Sequence, residues 1–239
     1  MGRVEPTFRA MKVRPPLPAS VTLALALLFL AGPLPRAFGE PALPLSPDYP
    51  ALQAELVAIY DNDQNFRLQV DGVEKANGAD SPQMHALWKT ISKYDHDNIV
   101  KVMAILDQYG WIGSDQIGTK ANSALFLVIQ HNDLKTQEKY LPMMREAVKA
   151  KKAQASSLAL LEDRVALGEH RLQTYGSQIG RDSTGQYYVR PLEDPDHVDE
   201  RRNLAGLEPL ADYVKRWGIT WDPAAYKKAL PGLEAETKH

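Results

Sequence analysis

The chain has 239 residues, a formal net charge of −2 at pH 7 and no cysteine, which excludes disulfides, thiolate nucleophiles, cysteine-ligated zinc and iron–sulfur clusters. Residues 1–39 carry five of the 28 basic and one of the 30 acidic residues, so without them the net charge is about −6. A mildly acidic surface repels phosphate backbones, and we therefore expect no nucleic-acid partner.

Residues 1–39 have the pattern of a cleaved signal peptide. A basic start precedes the apolar run VTLALALLFLAG over residues 21–32, and small residues lead to a predicted cut after Gly39. The run is short for a membrane span, which needs about 20 apolar residues. We predict a periplasmic or secreted protein, translated from Met1 or Met11, with no stable membrane insertion after cleavage. An uncleaved N-terminal anchor is the alternative.

Helical periodicity predicts one mainly α-helical domain over residues 50–230, between a proline-rich lead-in at 40–49 and a charged tail at 231–239. The predicted helices cover residues 50–67, 81–91, 98–109, 121–131, 133–152, 156–168, 195–204, 209–217 and 223–230. A small β-hairpin is predicted near residues 175–188, because two short strand-type runs flank the turn cluster at 181–185. The fold class is therefore a single helical domain with a small hairpin in its C-terminal half.

Local signals fix several helix ends. Ser81 followed by Pro82 is typical of a helix start, and Gly110 is a natural helix stop. Asp95 or Asp97 is predicted to cap a separate helix that begins at residue 98. The helices over residues 121–131 and 156–168 are apolar on almost every side, so we expect them to form the core.

Polar side chains follow the apolar run LFLVI at the end of one predicted core helix. His131 lies where unpaired carbonyls favour the imidazolium, which would make it a proton carrier, or else a merely satisfied helix end. Asp133 is a natural N-cap for the next helix. Gln130 and Gln137 are seven residues apart, and their amides are candidates for orienting a substrate. His131 and Asp133 point to different sides, and no metal site is predicted.

A charged pair, Asp163 and Arg164, interrupts the apolar run ALLEDRVAL. Burying such a pair costs several kcal/mol unless each charge is matched. Adjacent helical residues do not face each other, so each needs its own partner. The candidates are Asp133 for Arg164, and Arg201 or Arg202 for Asp163. A buried network that ties helices together is the alternative to a catalytic role.

A third polar cluster is the run QTYGSQ, in which Gln173, Tyr175 and Gln178 flank Gly176. Glycine allows a turn or a close backbone approach at this point. Polar side chains at this density indicate that they line a site, whereas a strand with a solvated polar face is the alternative. We expect the three polar clusters to form one site.

Several segments together resemble a bacterial family catalogued as domain of unknown function 6624, over roughly residues 94–213. They are GWIGSDQIGTKANSALFLVIQHNDLKTQEKYLP, LALLEDRV, QTYGSQ and VDERRNLAGLEPLADY. Ser177 stands where we expect threonine in that family. The resemblance implies a mainly helical exported or envelope protein without a known activity. The signature residues that it implies are His131, Asp133, Gln137, Asp163, Arg164, Gln173, Tyr175, Gln178 and Arg202.

No nucleophile elbow, zinc-binding helix or phosphate-binding loop is present, and no cofactor is predicted. One hypothesis is a metal-independent hydrolase or transferase acting on a small polar or anionic substrate, with His131 as acid or base. Asp133 or Asp163 would then orient His131, and Arg164 or Arg202 would hold an anionic group. The substrate-binding candidates are Gln130, Gln137, Gln173, Tyr175, Gln178, Arg201 and Arg202. The other hypothesis is a non-enzymatic ligand-binding or scaffold module of the cell envelope.

Overall fold

A computed structural model describes residues 46–236 of the chain. The helices are α1 (Tyr49–Arg67), α2 (Val70–Asn77), α3 (Pro82–Tyr109), α4 (Ser114–Gln130), α5 (Leu134–Lys149), α6 (Ala155–Gly168), α7 (Val198–Leu204), α8 (Leu210–Tyr213) and α9 (Pro223–Glu236). Strands β1 (Ile179–Arg181) and β2 (Tyr187–Val189) form an antiparallel hairpin. The predicted helical fold with a small hairpin is confirmed. The predicted signal peptide lies outside the described residues.

The main hydrophobic core lies where α4 packs against α1, α3, α5 and α6. Leu125 and Ile129 of α4 are fully buried, as is Leu161 of α6. Each buried apolar side chain of this size contributes about 1.5–3 kcal/mol to folding. The prediction that residues 121–131 and 156–168 form the core is therefore confirmed. Within residues 46–236, none of the helices is both long and apolar enough to cross a membrane.

The predicted start of α3 at Ser81 and its stop at Gly110 are confirmed, whereas two other predictions are wrong. The last helix does not end at residue 230 before a charged tail, because α9 continues to Glu236. The Ser81 hydroxyl accepts a hydrogen bond from the backbone N–H of Met84, and Gly110 ends α3 with φ of 67°. However, α3 runs without interruption through Asp95 and Asp97, which do not cap a new helix. The reason is that each carboxylate pairs with a basic side chain instead, Asp95 with one on α1 and Asp97 with a lysine one turn earlier. Helix α2 was not predicted.

A second, smaller hydrophobic cluster holds the hairpin against the C-terminal helices. Its buried members include Val189, Leu192 and Tyr226. The Tyr226 hydroxyl accepts a hydrogen bond from Leu192 N and donates one to Arg190 O, each at 2.8 Å. These two bonds fix α9 to the segment that follows β2.

Candidate functional site

The end of α4 brings His131 against an acidic side chain of α1. The Nδ1 atom of His131 lies 2.9 Å from Oδ1 of Asp63. The Asp63 side chain is 1% exposed, whereas that of His131 is 18% exposed, so the imidazole separates the carboxylate from solvent. Gln64 donates a second hydrogen bond to Asp63, from Nε2 to Oδ2 at 2.6 Å. The pair is a buried carboxylate that orients a partly exposed histidine.

The charges around Asp63 fix the proton on the imidazole. Burial alone raises the pKa of the Asp63 carboxyl, but the hydrogen bond and charge of His131, with the charge of Arg67, lower it below its ordinary value. An ionised carboxylate only accepts hydrogen bonds, so Nδ1 of His131 must be the donor. In the neutral imidazole Nε2 then carries the lone pair and is the atom free to accept a proton.

Arg67 of α1 extends this pair into a chain of charges across three helices. Its Nη2 donates to Oδ2 of Asp95 on α3 at 2.9 Å, and its Nη1 lies 3.4 Å from Oδ1 of Asp63. The order is Asp95, Arg67, Asp63 and His131. Arg67 therefore pairs with the carboxylates of both Asp95 and Asp63, and the chain ends at the imidazole.

Arg164 of α6 is close enough to Arg67 to be affected by its charge, and it has no matching anion among the described residues. Its Nε atom is buried and has no hydrogen-bond partner among residues 46–236. Burial, followed by the charges of Arg67 and Arg190, lowers the pKa of the Arg164 guanidinium. The expected partner, Asp133, instead accepts a hydrogen bond from Thr136 N at 2.8 Å and caps α5. A bound anion would supply the acceptor and the negative charge that Arg164 lacks.

Arg190, at the end of the hairpin, adds a second positive charge near Arg164. Its backbone is hydrogen-bonded to Gln173 and Gln178, whereas its side chain forms no hydrogen bond or ion pair with the described part of the chain. Arg164 and Arg190 are therefore two guanidinium groups that lie within range of each other's charge and have no carboxylate partner among the described residues.

Asp163, the neighbour of Arg164, faces the loop that precedes β1. Its Oδ1 accepts hydrogen bonds from the backbone N–H groups of Thr174 at 2.7 Å and Tyr175 at 2.9 Å, and its Oδ2 accepts one from Ser177 at 2.8 Å. The side chain is fully buried, and burial raises its pKa against the effect of these bonds. Its matching groups are thus backbone N–H groups, not the arginines named from the sequence.

The arginines expected to pair with Asp163 bind carbonyl groups of the same loop instead. Arg201 donates from Nε to Thr174 O at 2.9 Å, and Arg202 donates from Nη1 to Tyr175 O at 2.7 Å. Neither forms an ion pair with Asp163 within the part of the chain that the structure describes. The Asp163 carboxylate accepts hydrogen bonds from the N–H groups of the loop, and the two guanidinium groups donate hydrogen bonds to the carbonyl groups of the loop.

The Gln173 amide is satisfied by backbone groups, and the Gln178 amide by a neighbouring hydroxyl group. Gln173 is fully buried, accepts a hydrogen bond from Gln178 N at 2.8 Å and donates one to Arg190 O at 2.8 Å. Gln178 donates from Nε2 to the Ser177 hydroxyl at 3.0 Å, and the Tyr175 hydroxyl is 3.4 Å from a Glu162 oxygen. These side chains fix the shape of residues 173–178.

The remaining amides lie at the end of α4. Gln137 donates from Nε2 to Gln130 O at 3.1 Å and to Asn132 O at 2.8 Å, which satisfies carbonyl groups left free by the helix end. The side-chain oxygen of Gln130 is buried and has no partner among the described residues. The expected single site is thus two groups, one around His131 and one around the loop at 173–178.

A family model described as a family of unknown function (DUF6624) matches residues 50–221. This is well over half of the chain. The chain belongs to this family. The match begins earlier than the resemblance over residues 94–213 and includes α1. Comparison with curated proteins gave no match, and comparison with solved structures gave none either.

The earlier start of the family match brings in residues that the sequence analysis missed, namely Asp63 and Arg67. The signal for Asp63 was available, because it continues the buried stripe of Leu56 and Ile59 at helical spacing. An acidic residue on the apolar face of a helix requires a buried partner. Across residues 46–236, no three or more His, Asp or Glu side chains form a group that could hold a metal ion.

Proposed function

We propose that the His131 group is the active site of a hydrolase or transferase that acts on a small anionic substrate. The observation that supports this proposal best is the orientation of the imidazole by Asp63, which leaves Nε2 without a hydrogen-bond partner among the described residues. The unpaired guanidinium of Arg164, which is affected by the charge of Arg67, is the proposed anion-binding group. A histidine with a carboxylate behind it is the usual arrangement of a general base.

The proposed reaction uses water or a substrate hydroxyl as the nucleophile. Nε2 of His131 would accept the proton of this nucleophile as it attacks the substrate, and would then return the proton to the leaving group. Arg164 and Arg190 would hold the anionic group and stabilise the charge that develops on it. Asp63 would stabilise the imidazolium between the two proton transfers.

The second candidate function is binding without catalysis, which one observation favours. Asp63 is the hydrogen-bond partner of the His131 side chain, and no serine or threonine hydroxyl is bonded to that imidazole among the described residues. A binding module would use Arg164 in the same way but would not need the proton-transfer role of His131.

The test is a thermal-shift screen with phosphate monoesters and small carboxylates, followed by turnover assays on the compounds that bind. A ligand that stabilises the folded chain raises its melting temperature. Arg164→Gln is expected to abolish this shift, because it removes the unpaired charge. Arg145→Gln, which removes a surface arginine of α5, is the control and should retain it. An unchanged shift in Arg164→Gln would contradict the proposed anion site.

Turnover then separates catalysis from binding. His131→Gln retains a side chain that can donate to Asp63 but cannot transfer a proton, so we expect turnover to fall by roughly 10²-fold or more. Ligand affinity should change little. If the wild-type chain binds these compounds and converts none of them, the binding module is the correct function.

We also propose that the protein is exported, as residues 1–39 indicate. N-terminal sequencing of the mature protein from the exported fraction should give a chain that begins at Glu40. Leu27→Arg places a charge in the apolar run and should block export, whereas Leu17→Arg, outside the run, should not. An exported chain that begins upstream of Val21 would contradict cleavage.

A further inference from the structure

A cavity of about 280 Å³ lies between β2 and α9, and aromatic residues form part of its wall. They include Tyr187 of β2, Trp221 of the segment before α9, and Tyr226 of α9. Tyr187 is 40% exposed, whereas Tyr226 is 9% exposed and belongs to the smaller hydrophobic cluster. The cavity therefore extends from this cluster to solvent.

Two of these rings are held in place by the contacts that fix α9. The Tyr226 hydroxyl is bound to Leu192 N and Arg190 O, so its ring cannot turn without losing two hydrogen bonds. The ring of Trp221 lies 5.0 Å from that of Tyr226, centre to centre, with the planes inclined at 48°. Because the rings are already ordered, a ligand would not have to order them on binding.

The charge at this wall is negative. Among the described residues that line the cavity, Asp222 alone is charged, and it is exposed and forms no ion pair within residues 46–236. Its Oδ1 accepts hydrogen bonds from Ala224 N at 2.9 Å and Ala225 N at 3.1 Å, which caps α9. The positive end of a helix dipole amounts to about half a charge, so the full negative charge of the carboxylate exceeds it.

The ring of Tyr187 already attracts a cation of the hairpin. The Arg181 guanidinium lies 5.3 Å from the centre of this ring, and its charge is matched by Glu74 at 2.6 Å. The face of an aromatic ring carries negative potential and attracts cations, most strongly where water is excluded. Aromatic rings beside an unpaired carboxylate therefore favour a cationic ligand over a neutral or an anionic one.

We propose that this cavity binds a small organic cation, free in solution, whose ammonium group carries apolar substituents. The rings and Asp222 would attract the charge, while Val189 and Ile219 of the wall would contact the apolar substituents. The cavity has the volume of about nine waters in the liquid, which is enough for a cation of the size of choline. None of its lining residues belongs to the His131 group, so the site does not depend on the activity proposed there.

The test titrates the full chain with choline at constant ionic strength and follows the NMR signal of the Trp221 indole N–H, which a Trp221→Phe variant assigns. We expect choline to bind in the millimolar range. Its uncharged isostere dimethylbutanol, in which a carbon replaces the nitrogen, should bind about fivefold or more weakly, because the rings and the carboxylate attract only the cation.

Two variants remove one attractive group each. Tyr187→Leu keeps an apolar side chain at an exposed position, so the chain should fold, and choline should bind about threefold or more weakly. Asp222→Asn removes the charge but retains a residue that caps helices, and it should weaken choline binding to a similar extent. Neither variant should change the affinity for dimethylbutanol by as much.

Asp212→Asn is the matched control, because it removes an exposed carboxylate that pairs with Lys215 and does not line the cavity. It should leave choline binding unchanged, and a loss equal to that of Asp222→Asn would overturn the role of Asp222. No choline binding, equal affinity for choline and dimethylbutanol, or unchanged choline affinity in both site variants would overturn the proposal. A chain that binds phosphatidylcholine vesicles without binding free choline would overturn the assignment to a free cation.

Discussion

Replacing Asp163 with asparagine is expected to lower the free energy of unfolding by about 3 kcal/mol. The carboxylate accepts three backbone hydrogen bonds, from Thr174, Tyr175 and Ser177. Asparagine has one acceptor oxygen, so its amide N–H₂ must face at least one backbone N–H, and a buried donor loses its acceptor. Relief of the buried charge offsets only part of this loss. Urea unfolding followed by circular dichroism measures the change.

The control is Glu162→Gln, one residue earlier on the same helix. Glu162 pairs with Arg145 at 2.8 Å, and both side chains are partly exposed, so this substitution should change stability by less than about 1 kcal/mol. A loss below about 1 kcal/mol in Asp163→Asn would mean that the loop N–H groups find other acceptors. The loop at residues 173–178 would then not depend on Asp163.

The helices that periodicity defines could be predicted because their apolar faces are continuous, as in α6. The break predicted at Asp95 was wrong, because an aspartate can satisfy either a helix N-terminus or a distant arginine. Its partner Arg67 lies 28 residues earlier in the chain. Only the packing of α1 against α3 determines which of these two roles Asp95 takes.

The candidate site was predicted in part. His131 and Arg164 were identified because a polar side chain next to an apolar helical run requires a partner. The partner of His131 was missed because DNDQNFR, which includes Asp63, has the composition of a solvated helix face. For Asp163, the sequence indicated a charged partner, whereas loop N–H groups serve equally well. Backbone partners of this kind have no sequence signal, because every residue except proline has an N–H group.

Replacing His131 with leucine is expected to lower the free energy of unfolding at pH 7 by about 3 kcal/mol, because Asp63 remains buried without its main partner. Leucine retains the bulk that covers the carboxylate. In the wild-type chain the pKa of Asp63 is lowered in the folded state. Asp63 therefore contributes stability that is fully present above its ordinary pKa of 3.8 and is lost as the pH falls through its folded-state pKa.

The same substitution should reverse this pH dependence. Without the hydrogen bond and charge of His131, burial becomes the dominant effect and raises the pKa of Asp63 above its unfolded value. The folded variant then binds a proton more tightly than the unfolded chain, so its deficit relative to wild type should shrink between pH 7 and pH 4. Urea unfolding at several pH values measures both chains.

The double variant Asp63→Asn with His131→Leu provides the control, since it removes the buried charge together with its partner. We expect it to recover at least about 1 kcal/mol of the loss at pH 7, with a deficit that does not depend on pH between 4 and 7. A deficit in His131→Leu that stays constant over this range would show that Asp63 does not depend on the imidazole for its charge. The carboxylate would then be unable to fix the proton on Nδ1, and the role of His131 as a general base would lose its physical support.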